Sequence, residues 1–164
     1  MPELLASPSV FNAEDTVDFV ERTDLKAMNE LLRVEIALAD AYRRVMELMP
    51  QDRCVGEWIR IRSEHQRAVT MLAIRIRVQG GEPLDPSLAW RMSALTMFGS
   101  RPQSVLAGLI RELIRAEEQM ARCYEETLEG QELSDECHEI VRDDFLPRCR
   151  EDIRRLSHMQ PCEE

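Results

Sequence analysis

Residues 28–49, MNELLRVEIALADAYRRVMELM, decide the fold. Apolar side chains fall at Met28, Leu31, Leu38, Tyr42, Val45 and Met49, at the three- and four-residue spacing of one helical face. One position of that stripe holds Glu35 where a buried leucine is expected. Burying a lone carboxylate is costly, so Glu35 must be paired, metal-bound or turned toward water.

The stretches on either side repeat the pattern. Asp24 is the expected N-cap of a helix over about 25–49, which Pro50 stops. Asp52 is the expected cap of a second helix over about 53–79, striped by Trp58, Ile61, His65, Ala68, Leu72 and Ile76. The short turn between them makes the two helices antiparallel neighbours. Gly80 and Gly81 end the second helix, with Pro83 and Pro86 behind them. A long connection follows over 80–103, and its apolar centre, residues 87–98, reads as a short helix packed on the bundle. A connection this long lets the chain cross the bundle, so the two hairpins need not alternate up and down.

A third helix is expected over about 102–129, with Pro102 in its first turn and Ser100 as a cap. Its stripe is Leu106, Leu109, Leu113, Glu117, Met120 and Tyr124, and Gly130 ends it. Ser134 caps a fourth helix reaching about 158, with Val141, Phe145, Cys149, Ile153 and Leu156 on its buried edge. Pro147 lies inside that helix and should kink it. Residues 1–23 read as an N-terminal arm, partly ordered or docked on a neighbour, 24–159 as one bundle domain, and 160–164 as a frayed tail. The fold expected is an all-α four-helix bundle with a long crossover between helices two and three.

Composition excludes several classes of function. The net charge of −10 argues against nucleic acid or anionic membrane as partner, because phosphate contacts need Lys and Arg. No apolar run is long enough for a membrane span, and the N-terminus lacks the basic and apolar regions of a signal peptide. A cytoplasmic protein is expected. The five cysteines, Cys54, Cys123, Cys137, Cys149 and Cys162, form no close pair and read as reduced thiols. No P-loop, dinucleotide fingerprint or nucleophile–base pair is visible.

Function is therefore sought in the three polar residues of the stripes, Glu35, His65 and Glu117. A bundle with a Glu on each of two helices and Glu-x-x-His on the other two holds two iron or manganese ions. Residues i and i+3 share a helical face, so such a carboxylate and imidazole reach metals at one level of the bundle.

Three stretches, LKAMNELLRVEIALADAYRRV (25–45), SEHQRAVTMLAIRIRVQGGEP (63–83) and RAEEQMARCYEETLEG (115–130), resemble the ferritin-like superfamily. The resemblance is nearest to an uncharacterised bacterial branch known as a domain of unknown function. It covers about 25–158 and rests on the GGEP and YEETL stretches plus the diffuse stripe pattern. It implies the bundle and crossover described above, and little about activity. Carried over by position, Glu35 matches the first-helix Glu, Glu117 (or Glu118) the third-helix Glu, and His65 the second-helix His. Arg62 stands where the second-helix Glu is expected. The fourth helix offers Pro147, Arg148, Cys149 and Arg150 in place of Glu-x-x-His, with Asp144 and Asp152 as the nearest acids.

These departures lead to the expectation that Arg62 and Arg150 point inward and neutralise Glu35 and Glu117, since Arg pairs with carboxylates in a fork. Two other readings stay open: a reduced metal site of Glu35, His65 and Glu117, or solvation of these residues by helix rotation. The function expected is that of a non-catalytic structural or interaction domain, as a homodimer or with a protein partner, and with no cofactor. The alternative is a ferritin-like oxidoreductase or metal store holding iron or manganese. A third possibility is a thiol sensor using Cys123, Cys137 or Cys149.

Overall fold

The computed structural model describes residues 13–86, 105–130 and 133–159. Its helices are α1 (Ala13–Leu48), α2 (Val55–Val78), α3 (Val105–Glu129), α4 (Asp135–Ile140) and α5 (Leu146–Met159). A π-helical turn, Val141–Phe145, joins α4 to α5, and the three run on as a fourth rod. The described part is an all-α bundle of four rods without a strand. The expected short helix at 87–98, the Ser100 and Pro102 start, the first residues of the arm and the tail lie outside the described residues.

Side-chain pairs fix the directions of the rods. Glu35 meets Tyr124 and Tyr42 meets Glu117, so α1 and α3 are antiparallel. Glu35 meets His65, while a Cβ on Gly81 would strike Leu25, so α1 and α2 are antiparallel too. It follows that α2 and α3 are parallel. Val78 and Val105 therefore lie at opposite ends of the bundle, as the long connection implied. The fourth rod runs opposite to α2. Pairs Arg155–Glu57, Arg67–Asp144 and Arg75–Glu136 stitch that seam along its whole length.

Local chemistry explains the ends. Gly80 takes φ +76°, its N–H donates to the Arg77 carbonyl, and the Gly81 N–H donates to Ile76. These are the two bonds of a Schellman stop, which needs the left-handed residue that glycine supplies most readily. Asp52 accepts from the Cys54 N–H at 2.7 Å, one turn before α2 rather than as its cap. Ser134 caps α4 as expected, its hydroxyl accepting from the Cys137 N–H.

Two further expectations are corrected. Asp24 does not cap the first helix. That helix starts at Ala13, and Asp24 is a buried residue within it that accepts from the Ser134 N–H at 2.9 Å. Its carboxylate ties α1 to the start of the fourth rod. The change at Pro147 takes the form of a widened turn just before it. The Leu146 N–H reaches back to Val141, the five-residue bond of a π-turn. In a regular α-helix the Pro147 ring would strike the Asp143 carbonyl, and the wider turn moves that carbonyl aside.

The core collects the stripes of all four rods, with Trp58, Tyr42, Tyr124 and Phe145 as its largest fully buried side chains. Asp24→Ala leaves the Ser134 N–H without its acceptor and should lower unfolding free energy by about 1–3 kcal/mol. Denaturant titration by circular dichroism checks this; a loss below ~0.5 kcal/mol would show that the tie is solvated.

Candidate functional site

The middle of the bundle holds a polar cluster sealed from water. Glu35, His65, Glu117 and Asp152 are each 0% exposed. They come from α1, α2, α3 and α5, one from each rod. Each sits there because it occupies a stripe position, which helical periodicity turns inward.

His65 is the hub. Its Nδ1 lies 2.6 Å from Glu35 Oε2 and its Nε2 lies 2.9 Å from Glu117 Oε1. A carboxylate only accepts, so both ring nitrogens must carry protons and the imidazole is cationic. Burial alone would depress its pKa, but the two carboxylates outweigh burial and push it up to about 10.

Two tyrosines complete the pattern reciprocally. The Tyr42 hydroxyl donates to Glu117 Oε1 at 2.7 Å, and the Tyr124 hydroxyl donates to Glu35 Oε1. Glu35 and Tyr42 on α1, and Glu117 and Tyr124 on α3, share one seven-residue spacing. That interval is two helical turns, so each pair lies on one face and antiparallel packing crosses the partners. Burial and the facing carboxylates raise both phenols well above their ordinary value, which keeps them protonated donors.

The second buried cation is Arg148. Its Nη2 donates to Glu35 Oε1 at 2.6 Å, and its guanidinium lies 5.1 Å from the centre of the Phe145 ring. Burial works against the charge, but Glu35 more than offsets it. Glu35 is itself held below the usual carboxylate range: burial opposes this, and His65, Arg148 and Tyr124 overcome it. Cys149 donates through Sγ to the Glu117 backbone carbonyl at 3.1 Å. Burial and Glu117 raise its thiol far above the ordinary range, and burial lifts Cys137 to about 11. Neither thiol is a nucleophile near neutral pH, which counts against Cys137 and Cys149 as sensors.

The structure thus brings Glu35, His65 and Glu117 together and leaves Glu118 exposed. It does not bring Arg62 or Arg150 to them, which corrects the expected pairing. Arg150 is on the surface, 57% exposed, and pairs with Glu125 at 2.8 Å. Arg62 is half-buried, and none of the described carboxylates pairs with it. The inward cation is Arg148, three residues after the buried Phe145, and the inward acid is Asp152, seven residues after it. Ile153, expected on the buried edge, is only partly covered. Periodicity counted onward from Phe145 is the signal that singles out Arg148 and Asp152.

Asp152 is less completely satisfied. Its Oδ2 has no hydrogen-bond partner among the described residues, and Oδ1 faces Arg60 Nη2 at 3.4 Å. Burial and the nearby Glu117 push its pKa up to about 7, against a smaller opposing pull from His65. Ligand atoms of His65, Glu117 and Asp152 lie within 4.8 Å of one another, a separation a single cation can span.

No protein-family profile and no curated protein matches this sequence. Among solved structures, DpsC from Streptomyces coelicolor is similar in fold. The TM-score is 0.73 at 14% identity, over 98% of this chain and 94% of that one. At that identity the likeness concerns the fold alone.

The charge network sets a pH dependence. His65 has a pKa of about 10 when folded against 6.5 as a model group, so its contribution is full below pH 6.5 and is lost as pH rises toward 10. Asp152 acts in the same sense: its pKa rises from 3.8 to about 7, so stability is given up as pH climbs through that interval. Nitrogen NMR of the imidazole should show both ring nitrogens protonated at pH 7.5. A neutral ring at that pH would overturn the assignment.

Proposed function

We propose that this chain is a ferritin-like bundle without a working di-metal centre, in which an internal ion-pair network holds the frame together. On this reading the protein acts by association, as a homodimer or on a protein partner, rather than by turnover. One observation carries the proposal: both nitrogens of His65 are taken by carboxylates, at 2.6 and 2.9 Å. A metal-binding imidazole must offer a lone pair to the ion, and this one has none free.

The donor set does not fit two metal ions. Glu35 is engaged by His65, Tyr124 and Arg148, and Arg148 brings a positive charge to the place where a second cation would need ligands. Two carboxylates, one imidazolium and one guanidinium leave no excess negative charge around Glu35. The one thiol beside a carboxylate in the cluster, Cys149 at 3.3 Å from Glu117 Oε2, is kept protonated by burial, which supports a role without chemistry.

A second reading, a single iron or manganese ion, is favoured by one observation, the buried unpartnered Oδ2 of Asp152. His65 Nε2, Glu117 and Asp152 would hold that ion after His65 gives up a proton. Bound there, it would supply Lewis-acid or one-electron redox chemistry.

Metal analysis of protein purified without chelator separates the two. Far less than one equivalent of iron, manganese or zinc per chain is expected, together with stability that falls from pH 6.5 to 9. One equivalent that disappears in Glu117→Ala, with stability rising over that range, would overturn the proposal. Glu35→Ala should cost about 3–5 kcal/mol, because it leaves the Arg148 and His65 charges without their shared partner. Denaturant titration measures this, and a loss under ~1 kcal/mol would mean the pairing contributes little.

A further inference from the structure

A π-helical turn forms one wall of an opening in the bundle. Val141 and Phe145, its first and last residues, line an apolar cleft of about 300 Å³ between α2 and the fourth rod. The widened turn breaks the regular ridge spacing by which one helix fills the grooves of the next, so the seam does not close here. Such turns within helices frequently accompany functional sites. The cleft stands apart from the ion-pair centre: Glu35, His65, Glu117, Arg148 and Asp152 are all absent from its described lining.

Its volume stands at the lower end of the range that small-molecule sites occupy, about 300–1,000 Å³. Ile74 and Val78 in the lining are 55% and 80% exposed, two of the four large apolar side chains open to solvent among the described residues. Exposed apolar surface therefore concentrates at this cleft. Met28 and Met71 also line it, and their flexible thioethers adapt to the shape of what they meet. The charged residues of the described lining, Arg75 and Glu136, are paired with each other at 2.7 Å, which leaves no free charge to hold an ionic ligand. The Cys137 thiol in the same lining stays protonated near neutral pH, because burial lifts its pKa to about 11. One polar atom is unanswered. Gln79 lines the cleft, and its Oε1 is buried with no hydrogen-bond partner among the described residues. Buried acceptors in folded proteins almost always have a donor.

We propose that the cleft binds a neutral, mainly apolar molecule of one ring and a short chain, whose single hydroxyl donates to Gln79 Oε1. Such a ligand matches each feature of the lining. Its apolar body covers Ile74 and Val78 and displaces water from the walls. Its lack of charge suits a lining whose described charges neutralise each other. A carboxylate or an ammonium would have to leave bulk water without a counter-ion. The hydroxyl supplies the donor that Gln79 lacks, and an analogue without it leaves that acceptor unpaired. The site does not rest on the association reading above, since it needs no second chain.

The test titrates the full chain, labelled with carbon-13 at its methionine methyls, with para-propylphenol and with propylbenzene. The phenol is expected to shift the Met28 and Met71 methyl signals, and propylbenzene to bind roughly fivefold more weakly or worse. In Gln79→Leu, with helicity confirmed by circular dichroism, the two probes should bind alike. Unmoved Met28 and Met71 signals up to the solubility limit of the phenol would overturn the inference. So would equal binding of both probes to the unaltered chain, which would mean that water serves Gln79; this comparison needs no variant. A preference for the phenol that survives in Gln79→Leu would overturn the assigned acceptor.

Discussion

The imidazolium of His65, clamped between Glu35 and Glu117, is the contact on which the rest of the structure depends. It joins α1, α2 and α3 at one level, and Arg148 brings in the fourth rod through Glu35. Four buried rods held only by apolar packing can slide or rotate with modest penalty. A buried charge cannot, because any shift that breaks its pairing leaves an uncompensated ion in a medium of low dielectric. The network therefore fixes the register of the rods as well as their proximity. The reciprocal Tyr42 and Tyr124 bonds sharpen this, since each hydroxyl has its acceptor at only one relative height of α1 and α3.

The fourth rod shows how a backbone irregularity and a site are coupled. Pro147 forces a wider turn over Val141–Phe145, and that turn hands over to α5 just before Arg148. From there ordinary helical spacing carries Arg148, Cys149 and Asp152 to the centre together. The same rod faces α2 across a seam closed mainly by Arg–carboxylate pairs at the surface. Such exposed pairs contribute little stability individually. That seam is also where the apolar cleft opens, beside the exposed Ile74 and Val78.

At the sealed centre Glu35, Glu117, His65, Tyr42 and Tyr124 are matched to one another, while Asp152 Oδ2 and the Arg148 Nε and Nη1 have no hydrogen-bond partner among the described residues.

Much of the architecture was legible in the residues themselves. Glycine, proline and the capping serine marked the breaks, and the α2 stripe of Trp58, Ile61, His65, Ala68, Leu72 and Ile76 is buried as periodicity required. Glu35, His65 and Glu117 could be picked out because a charge on an apolar stripe has few places to go. What the sequence could not supply was the pairing. Arg148 and Arg150 differ by two residues, which on a helix means nearly opposite faces, and only the rotation set by Phe145 packing in the core chooses between them. The same holds for Asp24, whose place at the end of an apolar pattern resembled a cap until the start of the fourth rod came to rest on it. Helical period determined which residues lie inside; the relative rotation and height of the rods, fixed by close packing, determined which of them touch.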